Sequence, residues 1–163
     1  FELTEREIAN LGEYMRRGGF VFADNARPTA EYSQAEAALR KIFGDALGPD
    51  GQLQRIPNTH PIYHTFYDFD GPPVGYELRV SGGRIDRGGL SAEIAQTSYS
   101  LQGVFLDDRL VAIYSDKGYV HSWAENYGNE PQLRFGINVV IFALTQAGSI
   151  AQQQIDFFSE RSG

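Results

Sequence analysis

"LTEREIANLGEYMRRGGFVFADN", residues 3–25, is the stretch on which the fold turns. Thr4 and Glu7 have the spacing of a capping box, in which the hydroxyl accepts from the Glu7 amide and the carboxylate reaches back. Leu3 and Ile8 stand at the two positions of a hydrophobic staple. Ile8, Leu11 and Met15 recur at helical spacing, and Gly18 and Gly19 stop the helix. "FVFAD", residues 20–24, follows at once. It is short, apolar at both parities and ends in a carboxylate, so it predicts a buried strand of a parallel sheet. Helix, glycine pair and buried strand make half of an α/β crossover, which sets the fold class as α/β.

The remaining chain fits that frame. Ser33 and Glu36 repeat the capping-box spacing, and Ala35, Ala38, Leu39, Ile42 and Phe43 predict a second helix. "GPDG", residues 48–51, predicts a turn, and "LQRIP", residues 53–57, a short strand. Residues 71–90 are a Gly- and Pro-rich excursion. "GVFLDDRLVAIYS", residues 103–115, reads as two strands reversing at Asp107 and Asp108. Residues 118–131 read as an aromatic loop with Tyr119, His121, Trp123 and Tyr127. "PQLRFGINVVIFALTQAG", residues 131–148, predicts a mostly buried helix between Pro131 and Gly148. One α/β domain over residues 1–148 is expected, followed by a tail, 149–163. Ile150, Ile155, Phe157 and Phe158 in that tail suit a short docking helix.

Composition removes several function classes. The 163 residues carry a net charge of −7 with no Lys/Arg cluster, which disfavours nucleic acid and anionic lipid. With no cysteine, disulfides, thiolate metal sites and a Cys nucleophile are excluded. The longest apolar run, "FGINVVIFAL" at 135–144, falls short of the about 20 residues a bilayer span needs, so no transmembrane segment is expected. No signal peptide is visible. The chain opens on Phe1 rather than Met, and the expectation is that its true N-terminus was processed or lies upstream.

Five groups of residues compete as sites. His60 and His64 are four apart, a spacing that can hold zinc on a helix. Pro61, however, pushes His60 out of the helical region, and no Glu lies between the pair. The alternative is a Pro-initiated turn whose Ile62, Tyr63, Phe66 and Tyr67 pack on the core. Asp68 and Asp70 could bind a cation or do acid–base work, whereas Asp70–Gly71 is turn chemistry by itself. Asp24 and Asn25 stand at the carboxyl end of the predicted parallel strand, where open α/β sheets place ligands. The plainer alternative is that Asp24 holds loop amides. "SGGRIDRGG", residues 81–89, lacks the Lys and spacing of a phosphate loop, which leaves a flexible loop or an anion site between Arg84 and Arg87. His121, Trp123, Glu125 and Asn126 could line a pocket, cover the sheet edge or meet a partner.

Three blocks carry a resemblance: "LTEREIANLGEYMRRGGFVFADN", "HPIYHTFYDF" and "LRFGINVVIFALT". Together they resemble a bacterial family called domain of unknown function 4159, itself similar to class I glutamine amidotransferase-like domains. The resemblance implies a flavodoxin-like three-layer sandwich with residues 20–24 as an inner strand and 4–17 as a flanking helix. It also implies that further βα elements precede the first block. The wider superfamily's enzymes use a Cys on a strand-to-helix elbow with a downstream His. This chain has no Cys, so no catalytic residue carries over. Family members often bear export signals, which implies an extracytoplasmic location.

Two functional readings follow. The first is a non-catalytic binding or assembly domain that docks on other protein subunits of a larger, membrane-associated complex. Its contact residues would be Tyr119, His121, Trp123, Tyr127, Phe157 and Phe158. It needs no cofactor and no metal. The second is a hydrolase-like or small-ligand enzyme with Asp24 as base or ligand and His60, His64 or His121 as its acid–base partner.

Overall fold

Thr4 caps α1 (Glu5–Arg16) as the sequence directs. The Glu7 amide donates to its hydroxyl at 3.3 Å, and the Thr4 amide donates back to the Glu7 carboxylate at 2.8 Å. The computed structural model describes residues 2–26, 34–76 and 101–161. Ser33, residues 77–90 of the Gly-rich excursion, and Arg84 and Arg87 within it lie outside these. After α1 the chain reverses at Gly18, whose φ of +107° favours glycine, and enters β1 (Val21–Asp24). Then come α2 (Gln34–Leu47), a single 3-10 turn at Gly48–Asp50 and the two-residue β2 (Gln54–Arg55). A second 3-10 turn, Pro61–Tyr63, precedes β3 (Gln102–Leu106) and β4 (Arg109–Ser115). The two strands reverse at Asp107 (φ +47°) and Asp108 (φ +65°), the left-handed pair whose twist matches a two-residue hairpin. Three helices follow: α3 (Tyr119–Trp123), α4 (Glu130–Thr145) and α5 (Ile150–Arg161).

Among the described residues four strands form a mixed sheet in the order β1-β4-β3-β2. β1 runs parallel to β4, and the other two pairs are antiparallel. Alternate side chains of β1, and of Phe20 just before it, feed two separate clusters. Val21 joins Met15 of α1, Phe43 and Leu47 of α2, and Val111 and Tyr114 of β4. Phe20 and Phe22 join Ile62, Tyr63, Ile113, Tyr119, Phe135, Val139 and Phe142. Helices thus cover both faces of a mixed α/β sheet.

Several expectations change. Among the described residues β1 is an edge strand and half-buried. The strand buried on both faces is β4, whose longer apolar run takes an interior position. Residues 118–131 are not simply a loop, because Tyr119–Trp123 close a short helix that turns Tyr119 into the core. The helix at 131–148 is buried on one side only. Phe135, Asn138, Val139 and Phe142 point inward, while Leu133, Ile137, Val140 and Leu144 are 45%, 42%, 58% and 53% exposed. A helix apolar around its whole circumference reads as fully buried, yet only one side of this one meets the sheet. Phe66 is 65% exposed and packs on Tyr67 rather than on the core.

The topology also sets where a crevice opens. The chain leaving β1 returns on one face as α2, and the chain leaving β4 builds α3 and α4 on the other. Adjacent parallel strands whose connections diverge in this way leave a gap at their carboxyl ends.

Candidate functional site

Asp24 and Ser115 are register partners at the ends of β1 and β4, and the Asn25 amide extends the ladder to the Ser115 carbonyl at 2.8 Å. Just beyond, the Asn25 side-chain amide donates to Asp116 Oδ1 at 2.6 Å, and the buried Tyr114 hydroxyl donates to the same oxygen at 3.2 Å. Asp24 accepts from the Val120 amide at 2.9 Å and so anchors α3 to the sheet edge, with the Ser115 side chain and the Tyr119 and Gly118 amides also turned to its carboxylate. Burial pushes the Asp24 carboxyl above the ordinary carboxylate range, against the opposing Val120 amide. Asp116 moves the same way, through burial first, with the charges of Glu36 and Asp24 adding and Asn25 and Tyr114 opposing. A cavity of about 540 Å³ opens here, floored by Asp24, Asn25 and Tyr114 and walled by Gln34, Ala38 and Leu39 of α2. Its chemistry is that of a small amphipathic pocket: acceptors on the floor, aliphatic carbon on one wall.

The three histidines do not gather at this edge. His60 caps the Pro61–Tyr63 turn through Nδ1, which accepts from the Ile62 amide, and its ring lies edge-on to Phe105 and Phe142. Burial lowers its pKa. His64 closes that turn rather than opening a helix. It bonds the Asp68 carboxylate through Nδ1 and the Asn58 carbonyl through Nε2. Two acceptors on one ring call for both nitrogens to be donors, and the Asp68 bond correspondingly raises its pKa. Asp70 serves the neighbouring turn, its carbonyl accepting from Asn58. His121, on α3, donates to the Ala26 carbonyl at 2.5 Å and lies against the Tyr76 ring. None of the three hydrogen-bonds Asp24, and no group of three metal-ligating side chains exists among the described residues.

The expected contact residues also divide. Tyr119 is buried, with its hydroxyl on the Pro73 carbonyl at 2.6 Å, because its ring fills the space between Trp123 and Phe135. It cannot face a partner. Trp123 is half-buried, its indole N–H on the Gln132 carbonyl at 2.8 Å. Tyr127, Phe157 and Phe158 are exposed, the first at 86%. Sequence reasoning did not point to Tyr114 in the crevice, to Asp116 bonded to Asn25 and Tyr114 beside it, or to the exposed stripe of α4. The residues "YSD" at the end of the β4 run were a visible signal, but placing them beside Asp24 required knowing the β1–β4 pairing.

An uncharged residue at 116 tests the electrostatics of this edge. An acid whose folded pKa is raised adds stability fully only below its unfolded value, and that contribution is lost as pH rises through the folded one. At neutral pH ionised Asp116 therefore costs stability. Asp116→Asn keeps the acceptor for Asn25 and Tyr114 and removes the charge. It is expected to raise stability at pH 7 by about 0.5–1 kcal/mol, a figure discounted for partial exposure, and to leave stability at pH 3.5 nearly unchanged. Urea midpoints at the two pH values measure this. A midpoint at pH 7 at or below that of the parent chain contradicts it.

Fold and site together define a mixed α/β domain with a carboxyl-edge crevice and a one-sided apolar helix. A family model described as domain of unknown function (DUF4159) matches residues 1–144, and the chain belongs to that family. The match ends one residue before the end of α4, so α5 lies beyond it. No curated protein matches the sequence.

Proposed function

We propose that this domain is a non-catalytic assembly module that docks onto protein subunits through the outer faces of α4 and α5. One observation carries the reading: Leu133, Ile137, Val140 and Leu144 form a continuous exposed apolar stripe on a helix whose other side is core. Contiguous apolar patches on a protein surface often mark an interaction site. α5 supports it, having no buried residue and presenting Ile155, Phe157 and Phe158 at 57%, 53% and 65% exposure. No described helix is long and apolar enough to cross a membrane singly, and α4 and α5 are bent by 43° to one another. The finer fold reading, a flavodoxin-like and glutamine amidotransferase-like sandwich, is supported by the parallel β1–β4 pair with helices on both faces. An extracytoplasmic site of action is part of the same proposal and rests on the family resemblance.

The test is a photo-crosslinking residue at position 140, with one at the exposed turn position Asp108 as control, in cells that make the protein. A discrete protein adduct at 140 and none at 108 is expected. No adduct at 140, or equal adducts at both, overturns the reading. The crevice supports a second reading, a small-ligand site, through its volume and acceptor-lined floor. The acid–base form of that reading has no Asp24–histidine hydrogen bond to rest on.

A further inference from the structure

The spacing of the exposed stripe says what kind of surface covers it. Leu133, Ile137, Val140 and Leu144 are separated by four, three and four residues, the d-a-d-a seam of a heptad, which is the pattern a second helix packs against. Phe135, Asn138, Val139 and Phe142 occupy the opposite positions and are engaged in the core, so the seam has no partner within the described chain. Ala143 flanks the seam on one side, and on that side Gly136 lies against the chain's own Trp123, whose ring is 3.3 Å from a Cβ built there. An apolar groove of about 390 Å³ lies over Gly136, against Trp123 and Ile141.

Charge narrows the choice of partner. Each chain carries −7, so two copies repel on net charge. From Pro131 to Ile155 the only charged residue is Arg134, which is paired with Glu130 one turn away. Between Pro131 and Thr145 α4 therefore brings no carboxylate of its own to a second copy. The stripe is also self-complementary. A two-fold axis between Ile137 and Val140 sets leucine against leucine, 133 to 144, and one β-branched residue against another, 137 to 140. Antiparallel helices also oppose their macrodipoles. We propose that α4 pairs antiparallel with α4 of a second copy, making the domain a two-fold dimer whose apolar centre is this seam. The proposal rests on the reading of α4 as the docking face, and names its occupant.

The chain has no cysteine, so single introduced thiols report cleanly. Leu133→Cys and Leu144→Cys chains, one bearing a size tag, are oxidised mildly alone and mixed. The proposed register places 133 beside 144 of the other copy and each far from its own counterpart, beyond disulfide reach. A mixed disulfide between tagged and untagged chains is expected, with little product from either alone. Sedimentation equilibrium is expected to show a wild-type dimer, and Val140→Glu is expected to weaken it at least about 30-fold. Val140 is 58% exposed, so its replacement leaves the fold in place, as a circular dichroism melt verifies. A monomeric wild type, homodisulfides from either variant alone, or an undiminished Val140→Glu dimer overturns the proposal. So does a chain that is monomeric in solution and binds neutral phosphatidylcholine vesicles through α4. A photo-adduct at 140 with a different protein, and no mixed disulfide, sinks the two-fold dimer while leaving the assembly reading standing.

Discussion

Replacing Asn138 with alanine is expected to lower the stability of the chain by about 3–5 kcal/mol, the largest effect of any single substitution considered. Asn138 is fully buried on the inner side of α4. Its Oδ1 accepts from the amides of Phe66 and Tyr67 at 3.3 and 2.8 Å, and its Nδ2 donates to the carbonyls of Ile62 and Tyr67 at 3.1 and 2.8 Å. One side chain therefore satisfies both polar ends of the segment that follows the Pro61–Tyr63 turn. Alanine strips partners from two amides and two carbonyls, the Ile62 carbonyl buried and the others part-buried, and each group left buried and unmet costs about 1–3 kcal/mol. It also leaves a small cavity beside Val139 and Phe142. Asn138→Leu fills the volume but not the hydrogen bonds, so it is expected to recover little. Urea denaturation of the three chains decides it. If the leucine variant regains most of the lost stability, packing rather than hydrogen bonding holds this segment.

Asn138 also illustrates what the sequence does and does not disclose. In the sequence it only interrupts an apolar run. Its role depends on a loop more than seventy residues away, and no local pattern encodes that. Features with local causes were legible: the Thr4–Glu7 box, the glycine stop at Gly18, the strand at residues 20–24 and the reversal at Asp107–Asp108. The capping box closes within one turn, and a two-residue hairpin fixes its own register. Features set by long-range pairing were not. Half of the crevice, Asp24 and Asn25, was legible because it ends a recognisable strand. Tyr114, and Asp116 bonded beside it, join that edge only through the β1–β4 pairing. The aromatic segment at 118–131 hid a helix because five residues are too few to show a period. In α4 the apolar period was clear but present on both sides. Hydrophobicity alone cannot tell a side chain buried in its own core from one awaiting a partner.

The second large effect is expected at Gly12, where α1 crosses α2. A Cβ built at Gly12 lies 2.3 Å from the Ala46 carbonyl oxygen and 3.2 Å from its carbon. That obstacle is backbone in the last turn of α2, so no rotamer change clears it. The same carbonyl accepts from the Arg16 guanidinium at 3.1 Å, which helps satisfy the end of α2. Gly12→Ala must therefore push the helices apart, weakening that bond and loosening Met15, Phe43 and Leu47, all buried in the cluster beneath. Helix propensity works the other way, favouring alanine by about 1 kcal/mol at an interior position. Overpacking a close crossing costs typically 1–3 kcal/mol and occasionally more. Here the contact is to backbone and far inside van der Waals distance, so the clash is expected to win by about 2–3 kcal/mol. Gly44, inside α2, is the control, because nothing lies within 4 Å of a Cβ built there. Gly44→Ala meets the propensity gain alone and is expected to stabilise by about 0.5–1 kcal/mol. The two substitutions are chemically identical and both lie within helices, so their difference in urea midpoint isolates the helix crossing. Equal shifts in the same direction would mean that α1 can ride over α2 without loss, and that the layer on this face of the sheet is not held by the close approach at Gly12.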